Sequence, residues 1–175
     1  NLRSGEVDIS NVAPVNAEEV EGDGSLNILN RPGTGYVGFT VNLGLVDGMD
    51  EPVGQVDTPL AQDPNLREAF ELALDREAIN EIVYNGVHDV GCTAVSPNVP
   101  FGDANPECPD RDVERAQQLI EESDYDAPVE VDLMVSTDPD RMRIAELAQS
   151  MAEEAGFDVE VRSLESTTTI DEATA

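Results

Sequence analysis

Pro64-Asn65-Leu66-Arg67-Glu68-Ala69-Phe70-Glu71-Leu72-Ala73-Leu74-Asp75-Arg76-Glu77-Ala78-Ile79, running on to Asn85-Gly86, is the stretch that decides the fold. It reads as two short consecutive helices. Asp63 is placed to cap the first, and Pro64 then takes the first helical position, where its missing N–H costs nothing. Leu66, Ala69, Phe70, Ala73 and Leu74 recur at helical spacing and make one apolar stripe. Asp75 is placed to cap a second helix carrying Ile79, Ile82 and Val83, and Gly86 to end it in a left-handed turn. Arg67 is set to pair with Glu71 along the helix surface.

Working outward, residues 26–32 and 36–43 read as two strands separated by the turn sequence Pro32-Gly33-Thr34-Gly35. In the second, Val37, Phe39, Val41 and Leu43 alternate with Tyr36, Gly38, Thr40 and Asn42, which predicts one inward apolar face. Residues 44–63 are rich in Gly, Asp and Pro and read as a long loop. Past the helix pair, residues 87–109 are irregular and hold both cysteines. Asp110 or Asp112 then caps a helix with Val113, Ala116, Leu119 and Ile120 on its buried face. Val129, Val131, Leu133 and Val135 alternate with Glu130, Asp132, Met134 and Ser136, which predicts a half-buried strand. Pro139 opens a long helix that faces Met142, Ala145, Ala148, Met151, Ala152 and Ala155 inward. Gly156 stops it, and Phe157, Val159 and Val161 form the next strand. A strand–helix–strand return this tight implies a right-handed crossover between parallel strands.

At 175 residues the chain suits one domain able to bury a core without staples. Aromatic content is only 4%, with no Trp, so the core rests on Val, Leu, Ile and Ala. The net charge is −29, and all nine basic residues are Arg. Such a charge destabilises a compact state by self-repulsion unless salt screens it. At about 1 M salt the Debye length is roughly 3 Å, so these charges would barely sense one another. The composition reads as that of an acidic protein adapted to high salt, with an ordinary acidic or partly disordered protein as the other reading. It argues against nucleic acid and anionic membrane surfaces as partners, since both would be repelled. No apolar run approaches the roughly 20 residues a membrane helix requires.

The ordered residue types carry a resemblance. Arg-x-Ala, then Ala73-Leu74-Asp75-Arg76-Glu77-Ala78-Ile79, a Gly, and Ser96-Pro97-x-x-Pro100 resemble the peptide/nickel family of extracellular solute-binding proteins that feed ABC importers. Leu2 to Ile9 resembles the family's Gly-Glu-x-Asp segment. Asp112 to Ile120 resembles its Asp-x-x-x-Ala-x-x-Leu-Leu helix, and residues 145–161 a helix running through Gly156 into a strand. The likeness covers about residues 1–165. It departs at Asp110-Arg111-Asp112, where Tyr-Asp-Pro is usual, and at Ser123-Asp124, where Ala-Gly is usual.

The resemblance implies an α/β fold, a mixed sheet flanked by helices, forming one lobe of a two-lobed binding protein. Residues 1–25 are then a loosely ordered remnant of the adjoining lobe, 26–165 the α/β lobe, and 166–175 a truncated segment. A chain that opens inside a family motif and closes on an unfinished helix start is expected to be part of a longer protein. The implied function is capture of di- or oligopeptides for an ABC permease, at the cell surface, with membrane attachment only through an anchor outside these residues. Nickel or another small solute is the alternative within the class, and a secreted α/β enzyme domain the alternative outside it. The candidate ligand contacts are Tyr36 and Asn42 on the hinge-side strand and Ser96, Pro97, Asn98 and Phe101 in the Pro-x-x-Pro loop, which also reads as a rigid connector. No catalytic residue, metal or cofactor is assigned.

Cys92 and Cys108, in an extracellular loop, are expected to form a disulfide. In the chain-entropy model closing that loop stabilises by about 3 kcal/mol. Two free thiols, or a metal site with His88, are the other readings of the pair, though no fourth ligand stands at a recognisable spacing. His88 beside Asp89 is the only histidine; no Gly-x-Ser-x-Gly elbow accompanies it. Without any Lys, Gly33-Thr34-Gly35 cannot open a P-loop.

Overall fold

The computed structural model describes residues 2–12, 16–29, 33–44, 56–96, 99–102 and 107–173. The chain divides into two compact units, Asn1–Tyr36 with Glu77–Pro106, and Val37–Arg76 with Glu107–Ala175.

The second unit holds the core. Helix α2 (Pro59–Gln62) and helix α3 (Pro64–Ala73) follow each other directly. Asp63 ends one and begins the other: its N–H bonds to Pro59 O, and its carboxylate accepts from Asn65 N at 2.8 Å. The predicted cap and the proline at the first position are therefore in place. The long loop is shorter than expected, because α2 occupies its end; residues 45–55 lie outside the described residues. Leu66, Ala69, Phe70 and Ala73 are buried, as their spacing requires. Each large side chain among them contributes about 1.5–3 kcal/mol by leaving water.

Helix α5 (Val113–Glu121) is capped by Asp112, whose carboxylate accepts from Arg115 N, and buries Ala116, Leu119 and Ile120. Strand β1 (Val129–Ser136) pairs in parallel with β2 (Phe157–Leu164), in a register running from Val129 opposite Phe157 to Ser136 opposite Leu164. Helix α6 (Pro139–Ala155) joins them, with Asp138 capping its start. Gly156, at φ 105°, ends it in the left-handed region that a side chain rarely adopts. A Cβ there would stand 3.5 Å from Ile120 Cδ1. The inward stripe of α6 is Ile144, Ala145, Ala148, Ala152 and Ala155. Met142, expected on it, is half-buried, because Ile144 lies one helical turn before Ala148 and takes the inner position. Small side chains along this face let the helix backbone lie close to the sheet. Phe70 meets Phe157 edge to face at 5.3 Å and Phe39 at 6.1 Å, so one α3 ring joins three segments of this unit. Helix α7 (Ser166–Ala173) follows β2.

Residues 26–29 and 36–43, expected within strands, form none; residues 30–32 lie outside the described residues. Among the described residues the sheet consists of β1 and β2. Alternation predicts a strand only where a neighbour supplies the ladder, and none of the described strands pairs with this stretch. Tyr36 and Val37 are each 60% exposed in consequence.

In the first unit, helix α1 (Ala17–Glu21) is held by Arg3, which reaches Glu19 Oε1 at 2.8 Å and Asp23 Oδ2 at 3.1 Å. Apart from its first residue, helix α4 (Arg76–Tyr84) also belongs here; Asn85 and Gly86 end it with φ of 53° and 70°.

Three arginines of this chain are held by backbone carbonyls, and two of them by a carboxylate as well. Arg67 does not pair with Glu71; its Nη1 donates to Leu60 O and Ala61 O at 2.8 and 3.2 Å, satisfying two C-terminal carbonyls of α2. Glu71 instead accepts from Arg76 at 2.6 Å, while the other Arg76 amino group holds Pro109 O. Arg111 bonds Ala73 O through Nε and Glu154 through Nη2, both at 2.9 Å. Arg76 and Arg111 each serve two acceptors through two different nitrogens of a fixed fork, which a single ammonium nitrogen cannot reproduce.

Candidate functional site

Tyr36, Ser96 and Phe101 lie in the first unit and Asn42 in the second. Pro97 and Asn98 lie outside the described residues. In the loop that carries Ser96 and Phe101, Val99 N donates to Ser96 O at 3.3 Å, and Gly102 N to Val99 O at 3.0 Å. Phe101 falls within the second of these bonded stretches and is 82% exposed.

Ser96 makes a contact that its local sequence does not announce. Its hydroxyl donates to Gly33 O at 3.2 Å, tying this loop to the turn that leads into Tyr36. Two candidate segments more than 60 residues apart are thereby brought together. Asn42 is differently employed. Its side-chain oxygen accepts from Gly44 N at 2.9 Å, closing a local turn in which Gly44 adopts φ 68°.

His88 is exposed. Asn80 brackets it, donating to His88 O at 2.7 Å and accepting from His88 N at 3.4 Å, and its ring stands 4.5 Å from that of Tyr84. Both cysteines are disulfide-bonded, as expected. They therefore offer no thiolate for a nucleophile or a metal. Among the described residues no group of three or more His, Cys, Asp or Glu side chains is arranged to hold a metal ion.

An open, polar hollow in the second unit is lined by Asp57, Gln62, Asp63, Asp124 and Tyr125. Asn42, the candidate that this unit contains, is not among its described lining residues. Asp63 in the wall of the hollow is already engaged as a helix cap. In the first unit, hydrogen bonds from the Ser25 hydroxyl and N–H, aided by Arg3, hold Asp23 below the usual carboxylate range.

Residues 1–175 match the family model described as bacterial extracellular solute-binding proteins, family 5, middle region. The dipeptide-binding protein DppE of Bacillus subtilis (strain 168) is 26% identical over 175 residues, covering 94% of this chain and 30% of that one. An ABC transporter substrate-binding protein from Sinorhizobium meliloti superposes with a TM-score of 0.56 at 30% identity, over 61% of this chain and 24% of that one. CtaP, an ABC transporter substrate-binding protein from Listeria monocytogenes, reaches a TM-score of 0.72 at 19% identity, over 97% of this chain and 33% of that one. That last likeness speaks to fold alone. The chain spans about a third or less of the length of each.

Proposed function

The chain belongs to the bacterial extracellular solute-binding proteins of family 5, and from that premise we propose that it forms part of a receptor capturing di- or oligopeptides for an ABC importer. The family is one of solute-binding proteins rather than enzymes. The observation that carries the peptide reading is the segment Val37–Leu43. It is extended in sequence pattern, pairs with no described strand, and presents Val37 and its neighbour Tyr36 to solvent. An unpaired stretch of this kind suits an extended peptide, whose main chain supplies the affinity while alternate side chains find pockets. The dipeptide-binding relative supports the same ligand class. Permease subunits are the protein partners in this reading, and any membrane attachment lies outside these residues.

The test is calorimetric titration of an equimolar pool of di- to pentapeptides into the full-length gene product and into residues 1–175 alone. The full-length product is expected to bind, and residues 1–175 to give no heat beyond dilution. A single exposed wall cannot bury the 70% or so of ligand surface that tight pockets cover. Micromolar binding by residues 1–175 would place a complete site within them. No binding by the full-length product would overturn the peptide reading.

A further inference from the structure

We infer that Ser96 is a positioning residue rather than a ligand contact: its hydroxyl latches the loop bearing Phe101 to the turn that leads into Tyr36. The inference rests on the peptide reading above and assigns roles within that site. Its basis is the bond from Ser96 Oγ to Gly33 O, which uses the hydroxyl's one proton on protein backbone. A hydroxyl so committed has no proton left to donate to a ligand carbonyl. The surfaces that do remain open are aromatic. Tyr36 stands three residues beyond the accepting carbonyl, and Phe101 five residues beyond the donor; both rings are exposed.

Exposed rings are notable where aromatics make up 4% of the chain. Phe70 and Phe157 are buried in the core and Tyr125 packs against it, so Tyr36 and Phe101 stand apart from the rings that build the fold. Rings of this kind supply large contact area with little rotamer entropy to lose. The ligand class that fits them is a peptide with an apolar or aromatic side chain. In this reading Ser96 holds the two supports in register through its bond to Gly33 O.

The full-length gene product and its S96A, S96T and F101A variants test this. Amide exchange of residues 93–102 in ligand-free protein reads the latch directly. Titration with Ala-Phe-Ala and Ala-Asp-Ala reads the site. S96A is expected to exchange faster in this loop and to weaken Ala-Phe-Ala binding about two- to tenfold, the range of one net hydrogen bond. S96T, which keeps a hydroxyl, should resemble the parent, and the thermal midpoint should hold in both. F101A should weaken Ala-Phe-Ala binding more than Ala-Asp-Ala binding. Unchanged exchange in S96A overturns the latch, as does an S96T variant as impaired as S96A. Faster exchange with unchanged affinity overturns the positioning role. If the parent binds neither peptide, the peptide reading has failed, while the exchange data still decide whether the bond holds the loop.

Discussion

Arg162 on β2 grips Asp132 on β1 with both arms of a fork, Nε to Oδ1 at 3.3 Å and Nη2 to Oδ2 at 3.0 Å, while its remaining amino group reaches Glu172 on α7 at 2.8 Å. Hydrogen bonds to Asp132 and then Glu172 raise the guanidinium further above its already high pKa. The expected outcome of R162K is a lower thermal midpoint, because an ammonium cannot span both Asp132 oxygens and Glu172. A double-mutant cycle with D132N should show favourable coupling that shrinks at high salt. Purely additive losses would show that the pair contributes nothing.

Phe70 joins α3, β2 and the Phe39 segment through two edge-to-face contacts. F70A should cost about 3–5 kcal/mol, and F70L clearly less, since leucine refills part of the cavity. Urea denaturation measures both. A loss near zero for F70A would remove Phe70 from the centre of the core.

Salt should stabilise the fold steeply. A net charge of −29 works against compaction, and among the described residues the ion pairs are made by Arg3, Arg76, Arg111, Arg115 and Arg162. Raising KCl from about 0.1 M to 3 M shortens the Debye length from roughly 10 Å to under 3 Å. The thermal midpoint should climb across that range. A flat profile would refute the high-salt reading while leaving the fold untouched.

Reduction should be costly as well. Native protein treated with an alkylating agent should gain no mass until a reductant is added. The C92S and C108S variants should each lose about 3 kcal/mol of stability. Two thiols alkylated without reductant would contradict the bonded cysteines.

Local chemistry made much of the second unit legible. Asp63, Asp112 and Asp138 each accept the backbone N–H that their positions ahead of a helix imply. Pro64, Pro139 and Gly156 stand where φ preference places them, and β1 and β2 are parallel because α6 must carry the chain back. What stayed hidden depends on remote partners. Val37–Leu43 has the alternation of a strand, but alternation names no neighbour. Arg67 was matched to the nearest carboxylate along its helix, yet the orphan carbonyls of α2 outcompete it, and α2 itself was masked by Pro and Gly. The Ser96–Gly33 bond joins two turn sequences, each complete as a local signal, so neither announces the other. Asn42, expected on a strand, closes a turn with Gly44.

The exposure of Tyr36 also gives the molecule an optical handle. There is no tryptophan, so none drains the emission of the three tyrosines. Tyr84 lies against His88 and Tyr125 against the core, which leaves Tyr36 as the ring most open to solvent. A soluble quencher such as acrylamide should therefore dim Tyr36 first, and any molecule that settles over that ring should shield its light.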